Sequence, residues 1–104
     1  MSVTNETSIS EPLAEGEMIG LQSGDRHILL CNIEGKHYAV SNICSHGRVL
    51  LSKGRLRGGT VTCPLHGARF DVTTGQCLGG PATQDIPSYP VTEKDGQLVI
   101  ATDG

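Results

Sequence analysis

The chain contains two short segments of similar composition, CSHG at residues 44–47 and CPLHG at residues 63–67. Each segment offers one thiolate and one imidazole, and 16 residues separate the two cysteine–histidine pairs. Two sulfurs and two nitrogens presented in this order could bind zinc, or a 2Fe-2S cluster with both cysteines on one iron and both histidines on the other. The two segments therefore predict a metal site and leave its metal open.

The order of the ligands favours the cluster. Common zinc modules pair like ligands within one turn, because a single tight turn presents both to one ion. Here each segment mixes the two ligand types, as a two-iron cluster requires if one iron is to receive both sulfurs. Gly47 and Gly67 fit this interpretation, since backbone wrapped closely around a cluster often needs a positive φ or a missing Cβ.

The two segments resemble the ligand loops of the Rieske family, whose patterns are Cys-x-His-Gly and Cys-x-x-His-Gly. The stretch CPLHGARFD at residues 63–71, followed by Thr74-Gly75, resembles the second loop and the strand after it, and residues 79–81 (GGP) occupy the place of the third loop. The match runs from about Glu15 to Thr102 and is most similar to the small stand-alone ferredoxins of bacterial aromatic-ring dioxygenase systems. The resemblance implies one Rieske-type 2Fe-2S cluster held by Cys44, His46, Cys63 and His66.

The remaining sequence predicts an all-β fold, because 14 glycines and 5 prolines punctuate short apolar or alternating runs. We expect turns at Glu34-Gly35, Gly58-Gly59 and Lys94-Asp95-Gly96, and at most one helical turn over residues 10–13. The predicted strands are Val3–Ile9 at a sheet edge, Glu17–Gln22, Arg26–Ile33, His37–Ser41, Leu56–Arg57, Thr60–Cys63, Tyr89–Glu93 and Gln97–Ala101.

These strands predict one Rieske-like domain, residues 1–104, built as an antiparallel β sandwich or barrel. Its base comprises residues 1–42 and 83–104, and a cluster-binding subdomain of about residues 43–82 is inserted into it. With 104 residues, 37 % of them hydrophobic and only three aromatic, the core is modest. A small domain with a thin core commonly needs a metal or disulfides for stability, so we expect the cluster to be structural as well.

Charge and hydropathy exclude several classes of protein. The net charge of −3, from 8 basic and 11 acidic residues without a long run of either sign, argues against nucleic acid as a partner. No stretch has the apolar length of a membrane span, and residues 1–10 lack the features of a secretory signal. We therefore expect a cytoplasmic protein.

Other reactive side chains have structural interpretations. Cys31 lies in an apolar run and is expected to be a core residue, Cys77 lies in a glycine-rich loop, and a disulfide between them is disfavoured in a reducing compartment. His27 and His37 each stand alone in a strand, which favours solvated or hydrogen-bonded imidazoles over metal ligands. Asp71 is expected to accept backbone N–H bonds in a turn.

The sequence presents no nucleophile–base pair or carboxylate pair. Rieske-type oxygenases carry a much larger catalytic domain, for which this chain has no room, so we predict an electron carrier and not an enzyme. The resemblance implies a flavin-containing ferredoxin reductase as donor and a terminal ring-hydroxylating dioxygenase as acceptor. Two alternatives are a small subunit of a reductase such as the assimilatory nitrite reductase, against which the complete ligand set argues, and a structural zinc module.

Side chains around the ligands suggest how the site is tuned and recognised. An apolar rim that either shields the cluster or docks a partner is expected from Val49, Leu50, Leu65 and Pro81. Rieske centres of respiratory complexes carry an extra disulfide and two hydroxyl donors, where this chain has Leu65, Ala68 and Phe70. By this resemblance the reduction potential is expected to be low.

Overall fold

The computed structural model describes residues 6–9, 13–45, 49–65, 67–80 and 84–101. These residues form short strands and one 3₁₀-helical turn, Leu51–Lys53, which confirms the all-β prediction. The strands are β1 (Glu6–Ile9), β2 (Met18–Ser23), β3 (Arg26–Ile33), β4 (Lys36–Ser41), β5 (Arg55–Arg57), β6 (Thr60–Thr62), β7 (Arg69–Asp71), β8 (Cys77–Gly79), β9 (Ser88–Tyr89), β10 (Val91–Lys94) and β11 (Gln97–Ala101). Within the same residues, no helix has the length and apolar character needed to cross a membrane.

The strands form three antiparallel sheets. A terminal sheet has the order β1-β11-β10, a central sheet has the order β2-β3-β4-β9, and a third has the order β5-β6-β7-β8. We call the third one the loop-bearing sheet, because its strands lead into the cysteine–histidine segments. As predicted, β1 lies at a sheet edge, where it pairs with β11.

Strand β3 is covered on both faces, which explains why its sequence is continuously apolar instead of alternating. Ile28 and Leu30 belong to a buried cluster with Leu98 and Ile100 of the terminal sheet. Leu29 and Cys31 point the opposite way, into a second cluster that contains residues of the loop-bearing sheet. The predicted core role of Cys31 is thereby confirmed.

Two-residue turns close the hairpins at the predicted positions. Glu34 and Gly35 have φ values of 55° and 89°, and Asp95 and Gly96 have values of 52° and 77°. Positive φ at both central residues matches the right-handed twist of the flanking strands. The prediction was wrong for Lys94, which pairs with Gln97 inside β10 and does not belong to the turn.

Two further differences from the sequence prediction concern strands near the ligand loops. Cys77 was predicted to lie in a loop. It lies instead in β8, where it pairs with Phe70. The predicted strand Tyr89–Glu93 is divided, because β9 pairs with β4 whereas β10 pairs with β11. Pro90 stands at the division, and a proline cannot donate to a ladder. Residues 3–5 of the first predicted strand and residues 10–12 of the predicted helical turn lie outside the described residues.

Candidate metal centre

Three loops form the candidate site. The first ligand loop, residues 43–50, follows β4, and the second ligand loop, residues 63–68, connects β6 to β7. The third loop, residues 80–87, connects β8 to β9. His46, Gly47, His66 and Pro81 lie outside the described residues, so the structure bears on this site through the remaining positions.

The first ligand loop is closed by backbone hydrogen bonds. The N–H of Cys44 donates to the Val49 carbonyl at 3.0 Å, and Ile43 pairs with Leu50. Asn42, only 2 % exposed, connects the segments before and after the loop. Its Oδ1 accepts the N–H of Ser52 at 2.8 Å, and its Nδ2 donates to the Ser52 hydroxyl at 3.0 Å. The two described ends of the loop, at Cys44 and Val49, are therefore held together.

The second ligand loop has the same kind of closure. The N–H of Cys63 donates to the Ala68 carbonyl at 2.7 Å, and the N–H of Gly67 donates back to the Cys63 carbonyl at 3.2 Å. Gly67 has a φ of +80°, which confirms the expectation of a left-handed conformation there. The chain therefore turns sharply and re-enters the sheet as β7.

Direct contacts connect the described parts of the three loops. The Ser45 hydroxyl of the first loop donates to the Gln84 carbonyl of the third at 2.7 Å. A Cβ added to Gly80 would lie 2.6 Å from the Ala68 Cα and 2.9 Å from the Gly67 oxygen, so the third loop packs directly on the second. The three loops consequently form one surface.

Within this surface the two cysteines are buried together. Cys44 and Cys63 are each 2 % exposed and belong to one apolar cluster with Leu51 and Phe70, and neither forms a disulfide. Thiolates are preferred ligands of iron–sulfur clusters. In the described part of the chain no third potential ligand joins them, and the histidine half of the set is assigned from the sequence. The described donors and the two closed loops therefore fit a 2Fe-2S cluster.

The other candidate residues have structural roles. Burial in β3 raises the pKa of the Cys31 thiol to about 12, so Cys31 is protonated at neutral pH and is a poor ligand. His37 accepts the Leu13 N–H on Nε2 at 3.0 Å, which confirms the hydrogen-bonded interpretation. The Asp71 carboxylate accepts the N–H of Thr73 at 2.8 Å and its hydroxyl at 2.6 Å, as expected of a turn aspartate.

Sequence analysis missed two features near the site. Leu78 of β8 is 42 % exposed, although its apolar side chain gave no sign of this in the sequence. Basic residues are concentrated on the loop-bearing sheet, where Arg55, Arg57 and Arg69 are exposed. The signal for this second feature was available, because counting charges by segment and not over the whole chain would have revealed it.

Comparison with known proteins identifies the family. The family model of the Rieske [2Fe-2S] domain matches residues 5–90 of the sequence. The chain therefore belongs to the Rieske [2Fe-2S] domain family. It is 43 % identical over 90 residues to the ferredoxin component of the naphthalene 1,2-dioxygenase/salicylate 5-hydroxylase systems of a Ralstonia species, covering 86 % of each chain.

Two solved structures are similar over most of their length. The ferredoxin of carbazole 1,9a-dioxygenase from Nocardioides aromaticivorans IC177 matches with a TM-score of 0.83 and 27 % identity, covering 88 % of this chain and 89 % of that one. A chain in the complex of reduced oxygenase and oxidized ferredoxin in carbazole 1,9a-dioxygenase matches with a TM-score of 0.80 and 30 % identity, covering 84 % and 82 %.

These findings confirm the Rieske fold and the cofactor, one Rieske-type [2Fe-2S] cluster, over the zinc alternative. The relatives that match over most of their own length, such as those from Ralstonia and Nocardioides, are named as ferredoxins of dioxygenase systems. The prediction of an electron carrier of this type is thereby confirmed as well.

Proposed function

We propose that this chain is the ferredoxin of a bacterial system for aromatic hydrocarbon catabolism. It accepts single electrons from a flavin-dependent ferredoxin reductase and delivers them to a terminal ring-hydroxylating dioxygenase, in the cytoplasm. The structural observation that carries the proposal is the burial of Cys44 and Cys63 in two adjoining closed loops. A [2Fe-2S] cluster bound there supplies reversible one-electron chemistry.

The proposed ligand set is Cys44 and Cys63 on one iron and His46 and His66 on the other. These four residues belong to a cluster-binding subdomain of about residues 43–82, and the two flanking segments, residues 1–42 and 83–104, form its base. This division is supported by the sheet order, because β5 to β8 pair among themselves. Each cysteine is anchored through its own backbone N–H to a carbonyl of the same loop, Val49 for Cys44 and Ala68 for Cys63, so both anchors lie within the proposed subdomain.

Reconstitution tests the function. The purified protein should contain iron and sulfide and give the absorption and electron paramagnetic resonance spectra of a Rieske centre. Added to the reductase and oxygenase of a naphthalene 1,2-dioxygenase system in place of the native ferredoxin, it should support product formation from a nicotinamide donor. The alternative assignment would be favoured if the protein contained its cluster but transferred no electrons to the oxygenase, and if it supported the activity of an assimilatory nitrite reductase.

The apolar rim divides into shielding and exposed members. Val49 packs against the buried cluster and is only partly exposed, which suits shielding. Leu65 is 56 % exposed at the tip of the second ligand loop, and Pro81 lies outside the described residues. An apolar side chain this exposed beside a redox site suits a docking contact.

We therefore expect Leu65→Glu to slow electron transfer to the oxygenase by roughly tenfold, because one interface contact is worth about 1–2 kcal/mol. The absorption spectrum should stay unchanged. Stopped-flow kinetics with the reduced variant measures this. Leu78→Glu is the matched control, because Leu78 is also exposed, at 42 %, but lies on a strand outside the ligand loops. Equal rates in wild type and Leu65→Glu would remove Leu65 from the docking contact.

The reduction potential should lie near the negative end of the range of roughly −150 to +300 mV for Rieske centres. Ala68, the last residue of the second ligand loop, and Phe70, in the strand that follows it, are both fully buried and offer no hydroxyl donor. A hydroxyl stabilises the extra negative charge of the reduced cluster more than the oxidised state, so Ala68→Ser and Phe70→Tyr should each raise the potential. Protein-film voltammetry measures the shift, and Val72→Thr, a buried change outside the ligand loop, is the control. A wild-type value well above zero contradicts this account.

A further inference from the structure

The charges of this chain are divided between its two parts. Residues 43–82 contain five basic residues and one acidic residue, whereas the remainder contains three basic and ten acidic residues. The loop-bearing part therefore carries a net charge of +4 and the remainder −7, although the chain as a whole is at −3. An uneven distribution of this size creates a directed field around a small protein.

The sheet register places the basic side chains on one face. Arg55, Thr62 and Arg69 lie directly opposite one another across β5, β6 and β7, and Arg55 and Arg69 are exposed. The alternate row turns inward: Leu56 is partly buried, and Val61 and Phe70 are fully buried. Because side chains alternate along a strand, Arg57 shares the outer face with Arg55. We call Lys53, Arg55, Arg57 and Arg69 the cationic face.

The cationic face reaches the metal centre. Lys53, Arg55 and Thr62 line a groove of about 410 Å³ together with Cys63, Pro64 and Gly67 of the second ligand loop. The guanidinium of Arg69 lies over Gly79, the last residue of β8 before the third loop, and a Cβ added to Gly79 would be 2.9 Å from it. The acidic residue within this part of the chain, Asp71, directs its carboxylate to Thr73 of its own turn.

We propose that the cationic face docks an acidic surface of a redox partner protein and so directs that partner to the second ligand loop. This inference rests on the proposed function and adds the chemistry of the partner's surface. Leu65 is exposed within the same loop, and an apolar contact beside exposed cations suits a protein surface better than a phosphate backbone. The negative remainder of the chain would turn an acidic partner away from the wrong side.

Small oxidants of opposite charge test the field directly. One electron passes from the reduced holoprotein to ferricyanide, which becomes ferrocyanide, or to a cationic tris(phenanthroline)cobalt(III) complex, which becomes cobalt(II). At about 20 mM ionic strength, Arg55→Glu should slow oxidation by ferricyanide about three- to tenfold and accelerate oxidation by the cobalt complex. At about 0.5 M the rates should converge with those of wild type, because the charges are then screened.

The matched control is Lys36→Glu, which makes the same change of charge at an exposed strand position outside the cationic face. Its rates should stay within about twofold of wild type. An effect of Arg55→Glu no larger than that of Lys36→Glu, or rates that do not depend on salt, would overturn the proposal. A colourless protein without iron would instead overturn the proposed function, so the two failures are distinguishable.

A second measurement identifies the class of partner. Wild-type holoprotein should be retained on immobilised poly-L-glutamate at low salt, Lys36→Glu should be retained equally, and Arg55→Glu should elute earlier. Stronger retention on immobilised duplex DNA would assign the face to nucleic acid and overturn the protein assignment. Salt-dependent dimers of the wild-type protein in sedimentation, absent in Arg55→Glu, would show that the cationic face binds the acidic part of a second copy. That result would also overturn the proposal of a redox partner.

Discussion

Replacement of His46 by alanine should abolish the Rieske electron paramagnetic resonance signal of the reduced protein. On the proposed ligand set, this variant loses one of the four residues that bind iron. Removing a hydrogen-bond partner of a metal ligand already costs on the order of 10–100-fold in metal affinity, and loss of the ligand itself should cost more. His66→Ala should behave in the same way. Cys44→Ser and Cys63→Ser should lower the iron and sulfide content as well as the signal.

Each type of substitution has a control in the same chain. His27→Ala changes a histidine of β3, and Cys77→Ser changes a cysteine of β8, both outside the ligand loops. Both variants should keep the spectrum and the iron content of the wild type. An unchanged signal in His46→Ala would refute the ligand assignment, and a lost signal in His27→Ala would show that the fold depends on that imidazole in a way its position does not explain.

Gly80→Ala should destabilise the protein by about 2–6 kcal/mol and accelerate loss of the cluster. Two costs add: a left-handed conformation at φ +88°, worth about 1–3 kcal/mol, and a Cβ placed 2.6 Å from the Ala68 Cα, worth about another 1–3 kcal/mol. The close neighbours are backbone atoms of the second ligand loop, which cannot rotate away. Chemical denaturation of the loaded protein measures the first effect, and the decay of visible absorbance measures the second.

Gly35→Ala separates these two costs. Gly35 has nearly the same φ, +89°, but no heavy atom lies within 4 Å of an added Cβ. This variant should therefore show the conformational cost alone and lose its cluster at the wild-type rate. If both variants lost the cluster equally fast, the packing of the third loop on the second would not be what retains it.

Much of the fold could be predicted because its signals are local. The bounds of β3, Arg26–Ile33, were predicted correctly, since the apolar run ends at Glu34-Gly35, whose positive φ values both fit a hairpin turn. Pro90 was read as part of one strand because a sequence does not show which sheet each side of a proline joins. Strand β8 was missed for a similar reason: Cys77–Gly79, three residues of a glycine-rich segment, acquire strand geometry only by pairing with β7.

The candidate site likewise has one part that the sequence predicts and one part that it does not. The proposed ligands form a pattern of residue types within a few positions, so the sequence alone suffices to propose them. The loops are joined by the hydrogen bond from the Ser45 hydroxyl to the Gln84 carbonyl and by the close approach of the Gly80 backbone to the second ligand loop. Such contacts depend on the tertiary arrangement, and the residue types alone do not predict them.

The pairing of β1 with β11 has a consequence for how the chain can be reordered. Glu6 lies directly opposite Ala101 in an antiparallel ladder, so a short Asn-Gly link from residue 101 to residue 6 would convert these two strands into an ordinary hairpin. The chain could then be opened at the Asp95-Gly96 turn to give a circular permutant. Residues 43–82 would stay uninterrupted in it, and every strand pairing would be retained, because the sheets depend on which strands are neighbours and not on which residue is first.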